Sequence, residues 1–270
     1  MTIIQAIILG LVQGATEFIP VSSSGHLVLV PWLLGWPAPG LLFDTMLHWG
    51  TLLALLAYFW RDWLAMLTAW FRGLVHWDWS DPQARLAWWI VLGSIPAAVA
   101  GLLFEDFFEA LFLQPLWVSV FMLVTALLLV LGEWLGRRTR ELDRLNWRDV
   151  LLIGVGQAAA IAPGISRSGA TISAGLLRDL DRPSAARFSF LLATPAIFGA
   201  GFLQLNDLFR LPNLSAELAV MGIGLAVAAI AGYLCIWGLL RYLQHRSLYV
   251  FAAYCAVVGL ACLVIALVRG

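Results

Sequence analysis

The sequence contains no lysine and little charge of either sign. Only 12% of its 270 residues are charged, whereas about a quarter of the residues of a soluble domain are charged. All sixteen basic residues are arginine, and sixteen acidic residues balance them to a formal net charge of zero. Because nucleic-acid-binding proteins carry a basic excess, we expect no nucleic-acid partner.

Cysteine is also scarce, which limits the structural roles that it can have. Cys235, Cys255 and Cys262 lie in apolar runs, without the spacing of metal ligands. We therefore expect neither a disulfide framework nor a zinc site. These residues are interpreted as small hydrophobic side chains.

Apolar residues make up 62% of the sequence, and the mean hydropathy is +0.90. A membrane span needs about 20 consecutive apolar residues. The sequence therefore predicts an all-α polytopic membrane protein with six full transmembrane helices. The predicted spans are Leu41–Phe59, Leu86–Phe104, Pro115–Trp134, Phe188–Leu205, Leu218–Leu240 and Leu248–Val268.

Two further apolar regions are too short and are interrupted by polar residues. Ile3–Phe18 is followed by Pro20 and a serine run, and Leu151–Ala162 is followed by Pro163. A second short apolar piece follows each interruption. Irregular backbone at membrane depth survives only inside protein or beside a wet cavity, so these regions predict two re-entrant helical hairpins.

The two interrupted regions resemble each other in sequence. One ungapped shift places Gly10, Gln13, Ser22, Ser24 and Gly25 on Gly154, Gln157, Ser166, Ser168 and Gly169. We predict a single transmembrane domain over residues 1–270, with repeat one at about 1–134 and repeat two at about 151–268, joined by a cytoplasmic loop at 135–150. Three spans separate the hairpins, so the repeats have inverted topology and their polar breaks meet near the midplane.

The arginines test this topology independently. Thirteen of them fall in loops that it assigns to the cytoplasm, whereas only Arg210 and Arg269 fall on the other side and Arg167 lies at membrane depth. This distribution follows the positive-inside rule.

The second break combines a guanidinium with three hydroxyls, from Ser166, Arg167, Ser168 and Thr171. An arginine at membrane depth is costly and marks an anionic partner. Free amides at a new helix N-terminus, hydroxyls and a guanidinium together predict a phosphate cradle. The alternative is a packing kink with an arginine that reaches the interface.

The first break carries Gln13 and Glu17 on one helical face, followed by Ser22, Ser23, Ser24 and His26. Serine, histidine and a carboxylate within ten residues are the components of nucleophilic catalysis. Two alternatives remain open: Glu17 could form a structural ion pair with Arg167, and the serines could only cap a helix. Asp44 and His48 could line the same cavity.

The motifs Gln-x-x-x-Glu with Pro-Val-Ser-Ser-Ser-Gly-His, and Pro-Gly-Ile-Ser-Arg-Ser-Gly-Ala-Thr, resemble the two signatures of the bacterial undecaprenyl-diphosphate phosphatases, the bacitracin-resistance protein family. The resemblance implies an enzyme of the bacterial inner membrane that removes one phosphate from undecaprenyl diphosphate. It implies recycling of the lipid carrier for cell-wall synthesis, a site that opens to the periplasm, and a divalent cation, magnesium or calcium.

The resemblance also implies roles for individual residues. Glu17 matches the essential acid and metal ligand, Ser23 the nucleophile, and Arg167 the phosphate-binding arginine. His26 matches a histidine that acts as base or nucleophile. The implied substrate-binding residues around them are Gln13, Ser22, Ser24, Gly25, Ser166, Ser168, Gly169 and Thr171. Two positions depart from the family pattern, since His48 replaces an expected glutamine and Arg187 an expected acid.

Two questions stay open at the level of sequence. Inverted repeats and broken helices are also common in transporters, so a flippase for polyprenyl phosphate is the alternative function. The oligomeric state is likewise open, with a homodimer as one alternative to a monomer.

Overall fold

The computed structural model describes residues 1–204 and 214–269, and the backbone of this part is helical. Apart from one isolated bridge between Arg140 and Leu180, these residues form no β-structure. They form twelve α-helices and one 3-10 turn at Leu142–Arg144. The helices are α1 (Ile3–Phe18), α2 (Ser23–Leu34), α3 (Leu41–Tyr58), α4 (Trp60–His76), α5 (Pro82–Leu103), α6 (Glu105–Phe112), α7 (Pro115–Leu135), α8 (Trp147–Ala159), α9 (Arg167–Leu177), α10 (Arg182–Leu203), α11 (Leu214–Leu243) and α12 (Tyr249–Arg269).

Six helices of the described chain are long and apolar enough to cross a membrane: α3, α5, α7, α10, α11 and α12. This confirms the six predicted spans, although the predicted end at Leu205 lies outside the described residues. The spans α5, α10 and α11 begin earlier than their predicted apolar runs, and polar caps extend the first two. Asp81 caps α5 and Asp181 caps α10, and each cap is followed by a proline in the first turn, where proline is well tolerated.

Four of the shorter helices, α1 with α2 and α8 with α9, form two pairs with the same local construction. Ser22 caps α2 by accepting a hydrogen bond from the Gly25 amide at 3.2 Å, and Ser166 caps α9 in the same way through Gly169 at 3.1 Å. Residues 19–22 separate α1 from α2, and residues 160–166 separate α8 from α9. Each pair is therefore two half-length helices around a polar break.

Close helix packing holds the first pair in the protein. Helix α1 packs along α11, and α12 packs along α7. Small residues allow this approach: a methyl group at Gly14 would lie 2.6 Å from the Ala228 carbonyl oxygen of α11. The lipid-facing surface is apolar, with Val257 and Leu267 of α12 well exposed.

Two buried carboxylates tie helix ends together on the side that the arginine count assigns to the cytoplasm. Glu133 of α7 accepts hydrogen bonds from Arg138, Arg182 and the Leu248 amide at 2.7–2.8 Å. Asp149 of α8 pairs with Arg140 at 2.6 Å and Arg178 at 2.7 Å. The hydrogen bond that the Arg140 guanidinium donates to the Asp149 carboxylate raises the pKa of Arg140 above its ordinary value.

Candidate active site

A cavity of about 290 Å³ lies where the two breaks meet. Helices α1, α2, α8 and α9 supply one part of its wall, and α3 and α10 supply another. Its polar lining residues are Glu17, Ser23, Ser24, Asp44, Thr45, His48, Gln157, Ser166, Arg167 and Gln204. Such a pocket with converging polar groups is the kind of site that binds a small or amphipathic ligand.

The breaks touch each other directly through backbone and side chains. The Ser168 hydroxyl of the second break donates to the Ile19 carbonyl of the first at 3.4 Å. A methyl group at Gly25 would lie 3.2 Å from the Gly164 Cα. The predicted meeting of the two breaks is therefore present in the fold.

Arg167 and Glu17 form the central contact between the breaks. The Arg167 guanidinium donates to Glu17 Oε1, and its side chain is 19% exposed whereas that of Glu17 is 3% exposed. A buried carboxylate needs such a partner because water no longer solvates its charge. Arg167 remains the more accessible of the two, so one side of its planar fork can reach a ligand in the cavity.

Ser23 and Gln13 both bind the same carboxylate. The Ser23 hydroxyl donates to Glu17 Oε2, and Gln13 Nε2 donates to the same oxygen at 3.0 Å. A hydroxyl that donates to a carboxylate has its proton directed towards a base, which is the arrangement of an activated nucleophile. Ser23 lines the cavity and Gln13 lies behind Glu17.

His48 is the histidine next to this carboxylate. Its Nε2 lies 3.7 Å from Glu17 Oε2, and its Nδ1 bonds the Asp44 carbonyl oxygen at 2.8 Å. His48 and Asp44 both line the cavity, as their positions in the sequence suggest.

His26 points elsewhere. Its Nδ1 bonds the Ser22 carbonyl at 2.7 Å, and its Nε2 bonds the Tyr254 hydroxyl at 2.7 Å. Both ring nitrogens are thus engaged by groups other than Ser23, and His26 is not among the described residues that line the cavity. The structure does not bring together the serine–histidine pair that the sequence suggests.

The remaining predicted binding residues fall into two groups: some line the cavity, and the others lie behind its wall. Ser24, Ser166 and Arg167 line the cavity, whereas Ser22 and Gly25 lie buried behind it in the α2 cap. Ser168 bonds Ser166 at 3.2 Å, and Thr171 bonds the Arg167 carbonyl and Ser189 at 2.7 and 2.6 Å. Gly169 supplies the amide that Ser166 caps. Through these bonds Ser166, Ser168, Gly169 and Thr171 fix the conformation of the α9 N-terminus.

A divalent cation fits this lining only together with a phosphate ligand. No cluster of three or more His, Cys, Asp or Glu side chains occurs within residues 1–204 and 214–269. Asp44 does present a buried Oδ1 that has no hydrogen-bond partner in this part of the chain, and it lines the cavity with Glu17. Magnesium is commonly held by one or two carboxylates plus substrate phosphates, so the donor set fits a cation that binds with its substrate.

Three polar lining residues were not predicted as site residues: Thr45, Gln157 and Gln204. Gln157 is the repeat counterpart of Gln13, and this signal could have identified it. Its side chain is buried, and neither atom of its amide has a partner among the described residues. Gln204 bonds Thr45 at 2.7 Å at the cavity rim, a pairing between distant segments that no local pattern reveals.

Comparisons with known proteins identify similar chains. A family model described as "Bacitracin resistance protein BacA" matches residues 6–261. An undecaprenyl-diphosphatase of Desulforudis audaxviator is 44% identical over 267 residues, and one of Thermomicrobium roseum is 45% identical over 274. An undecaprenyl-diphosphatase 2 of Stutzerimonas stutzeri is 43% identical over 268 residues. Each alignment covers 98% of this chain and 98% of the relative.

Proposed function

We propose, since the chain belongs to the bacitracin resistance protein BacA family, that it is an integral membrane phosphatase that hydrolyses undecaprenyl diphosphate. The products are inorganic phosphate and undecaprenyl phosphate, the carrier that returns to cell-wall synthesis. The observation that carries this proposal is the convergence of Glu17, Ser23 and Arg167 from two breaks on one cavity. The name shared by the relatives supports the substrate.

The proposed topology places the protein in the bacterial inner membrane with two re-entrant hairpins, α1–α2 and α8–α9. They belong to inverted repeats and enter from opposite faces. The contact between the breaks supports this arrangement, as do the three spans between the hairpins and the arginine distribution. Non-helical backbone at this depth is tolerated because protein and a polar cavity surround it.

The cavity opens to the periplasm in this topology. Its rim reaches Leu41, Phe112 and Gln204, which lie at helix ends on the side with few arginines. The rest of the lining is apolar and includes Ala97, Ile161 and Ile197. An amphipathic substrate fits this division, with the diphosphate at the polar end and the first prenyl units beside the apolar wall.

Arg167 and the N-terminus of α9 bind the terminal phosphoryl group. The guanidinium fork matches phosphate oxygens in pairs. Ser166 already occupies the Gly169 and Ala170 amides, so the amides of Arg167 and Ser168 are the ones that α9 offers to an anion. Positioning and charge stabilisation are the main contributions of protein to phosphoryl transfer.

Ser23 is the proposed nucleophile and Glu17 the group that takes its proton. Diphosphate binding draws Arg167 towards the phosphoryl oxygens, which leaves Glu17 as the base. The Ser23 oxygen bonds the terminal phosphorus, the anhydride P–O bond breaks, and undecaprenyl phosphate leaves. Water then attacks the phosphoserine, the Ser23 oxygen recovers a proton, and inorganic phosphate departs. The engagement of His26 by Ser22 and Tyr254 favours this route over attack by that histidine.

Glu17 and Asp44 would hold a magnesium or calcium ion beside the bound diphosphate. When bound, such a cation supplies neutralisation of the charge that develops on the phosphoryl oxygens. This proposal rests on the buried, unpartnered Asp44 Oδ1 on the cavity wall.

Phosphate release from undecaprenyl diphosphate tests the proposed function. Purified protein in detergent should release one phosphate per lipid, and a chelator should stop release until magnesium or calcium is added back. A second assay should follow lipid translocation in vesicles. Absence of release together with intact translocation would contradict the phosphatase and favour the flippase. Unchanged phosphate release in the presence of the chelator would contradict the proposed cation requirement but not the phosphatase activity.

A further inference from the structure

The His26 ring joins the first break to the last helix of the protein. Its Nδ1 lies 2.7 Å from the Ser22 carbonyl, which can only accept, so Nδ1 carries the proton. In the neutral ring Nε2 therefore accepts from the Tyr254 hydroxyl at 2.7 Å. The two rings are nearly parallel, with centroids 5.7 Å apart. Tyr254, His26 and Ser22 thus form one continuous hydrogen-bonded chain.

Ser22 is the strained member of this chain. Its backbone has φ 71° and ψ 95°, in the region that favours glycine, and surrounding contacts must hold a serine there. The His26 amide and the His26 ring both donate to its carbonyl, at 3.1 and 2.7 Å. The Gly25 amide binds its hydroxyl.

The second break provides an internal comparison. Its cap, Ser166, has an ordinary extended backbone with φ −71°, and the positive φ of 102° falls on Gly164 instead. Strain on a serine is therefore confined to the break that presents Ser23. Ser23 follows Ser22 directly and donates to Glu17, so the direction of its hydroxyl depends on the Ser22 turn.

Helix α12 supports this turn from the side away from the cavity. Tyr254 is half exposed and is not among the described residues that line the cavity. Its neighbour Cys255 contacts the Pro20 carbonyl at 3.7 Å, so α12 touches the break on both sides of Ser22. Within the described residues, the hydroxyl of Tyr254 is connected to the break through His26.

We infer that Tyr254 is a positioning residue, which through His26 holds the strained Ser22 turn and keeps Ser23 directed at Glu17. The inference deepens the proposed function and rests on it for its kinetic consequence. His26 then has a positioning role and does not act as the catalytic base.

The test compares Tyr254→Phe with Tyr233→Phe. Phenylalanine keeps the ring of Tyr254 and removes only its hydrogen bond. Tyr233 of α11 is exposed to a similar degree, and its hydroxyl makes no hydrogen bond within the described residues. Tyr254→Phe should lower kcat about fivefold to tenfold, the range of one hydrogen bond, and leave KM unchanged. Tyr233→Phe should change neither.

A Ser22→Gly background separates positioning from general packing. Glycine adopts φ 71° without strain, so in this background Tyr254→Phe should cost less than about twofold. A cost of the same size with Ser22 and with Gly at that position, or a wild-type kcat for Tyr254→Phe, would overturn the inference.

Hydrogen exchange gives a readout that needs no activity. In Tyr254→Phe the amides of residues 21–26 should exchange about fivefold to tenfold faster, again the factor of one hydrogen bond. The matching amides of residues 165–170 should not change. Unchanged exchange at 21–26 would overturn the inference even in a protein that releases no phosphate, whereas that lack of release would refute only the proposed function.

Discussion

At the scale of single residues, the site depends on one guanidinium that faces one carboxylate. Arg167 and Glu17 are far apart in sequence, and each would be costly at membrane depth without the other. Each residue also has a contact that its partner lacks. Arg167 reaches into the cavity, whereas Glu17 accepts a hydrogen bond from the Ser23 hydroxyl. The ion pair therefore also fixes the position of Arg167 at the cavity and of Glu17 beside Ser23.

Replacing Arg167 with lysine should lower kcat/KM for undecaprenyl diphosphate about 100-fold or more, the usual cost of losing a donor that stabilises developing charge. Lysine keeps the positive charge but cannot form the paired contacts of the planar fork. The measurement is phosphate release by purified variants. The exposed Arg85→Lys is the matched control and should keep wild-type activity. Turnover of Arg167→Lys close to that of the wild type would contradict the proposed paired contacts of the planar guanidinium with phosphate.

The motifs predict Glu17, Ser23 and Arg167 correctly as a spatial cluster, because each is the polar exception in an apolar surrounding. The orientation of His26 could not be predicted in the same way. Its partner Tyr254 lies on the last helix, and nothing near His26 in the sequence distinguishes a ring that faces the cavity from one that faces away.

At the scale of secondary-structure elements, each break is a proline followed by a serine cap. The two breaks differ in which residue has the positive φ angle. Gly164 carries the positive φ in the second break, and a methyl group there would lie 2.3 Å from the Val118 carbonyl. Ser22 carries it in the first break. Each turn ends one helix early, so that the next helix in the chain begins at the cavity with backbone amides that make no intrahelical hydrogen bond.

Gly164→Ala should destabilise the protein by about 1–3 kcal/mol through backbone strain alone, with a further cost from the overlap with α7. We expect a lower melting temperature in detergent and reduced phosphate release. Gly199→Ala is the control, since nothing lies within 4 Å of a methyl group at Gly199. Equal melting temperatures for the two variants would contradict the tight turn at Gly164.

The positions of the helices follow from the sequence more closely than their ends do. Long apolar runs identify all six spans, because only they are long enough to cross a bilayer. The short helix α6 was not predicted, since its eight residues carry neither a long apolar run nor a proline or serine cap. The early starts of α5 and α10 depend on aspartate caps outside the apolar runs.

At the scale of the whole molecule, two arginine-clamped carboxylates hold the end of the protein opposite to the cavity mouth. Glu133 joins α7, α10 and the start of α12, and Asp149 joins α8 to the loops around it. These contacts fix the ends of α7, α8, α10 and α12 on this side of the protein.

Glu133→Gln should lower the free energy of unfolding by about 1.5–3 kcal/mol, the usual contribution of a hydrogen bond to a charged group. Its two arginines lose their charged partner, but their side chains are 33% and 23% exposed, so water can still solvate their charges. The measurement is thermal unfolding in detergent. Glu109→Gln on the exposed face of α6 is the control and should unfold as the wild type does. Identical unfolding of both variants would show that the clamp contributes nothing to stability.

The most direct test of Ser23 as the nucleophile is a single turnover with undecaprenyl diphosphate labelled on its terminal phosphate, followed by acid quench and peptide mapping. The label should appear transiently on the peptide that contains Ser23 and should be absent from Ser23→Ala. Label on His26, or phosphate release by Ser23→Ala at the wild-type rate, would contradict this role of Ser23.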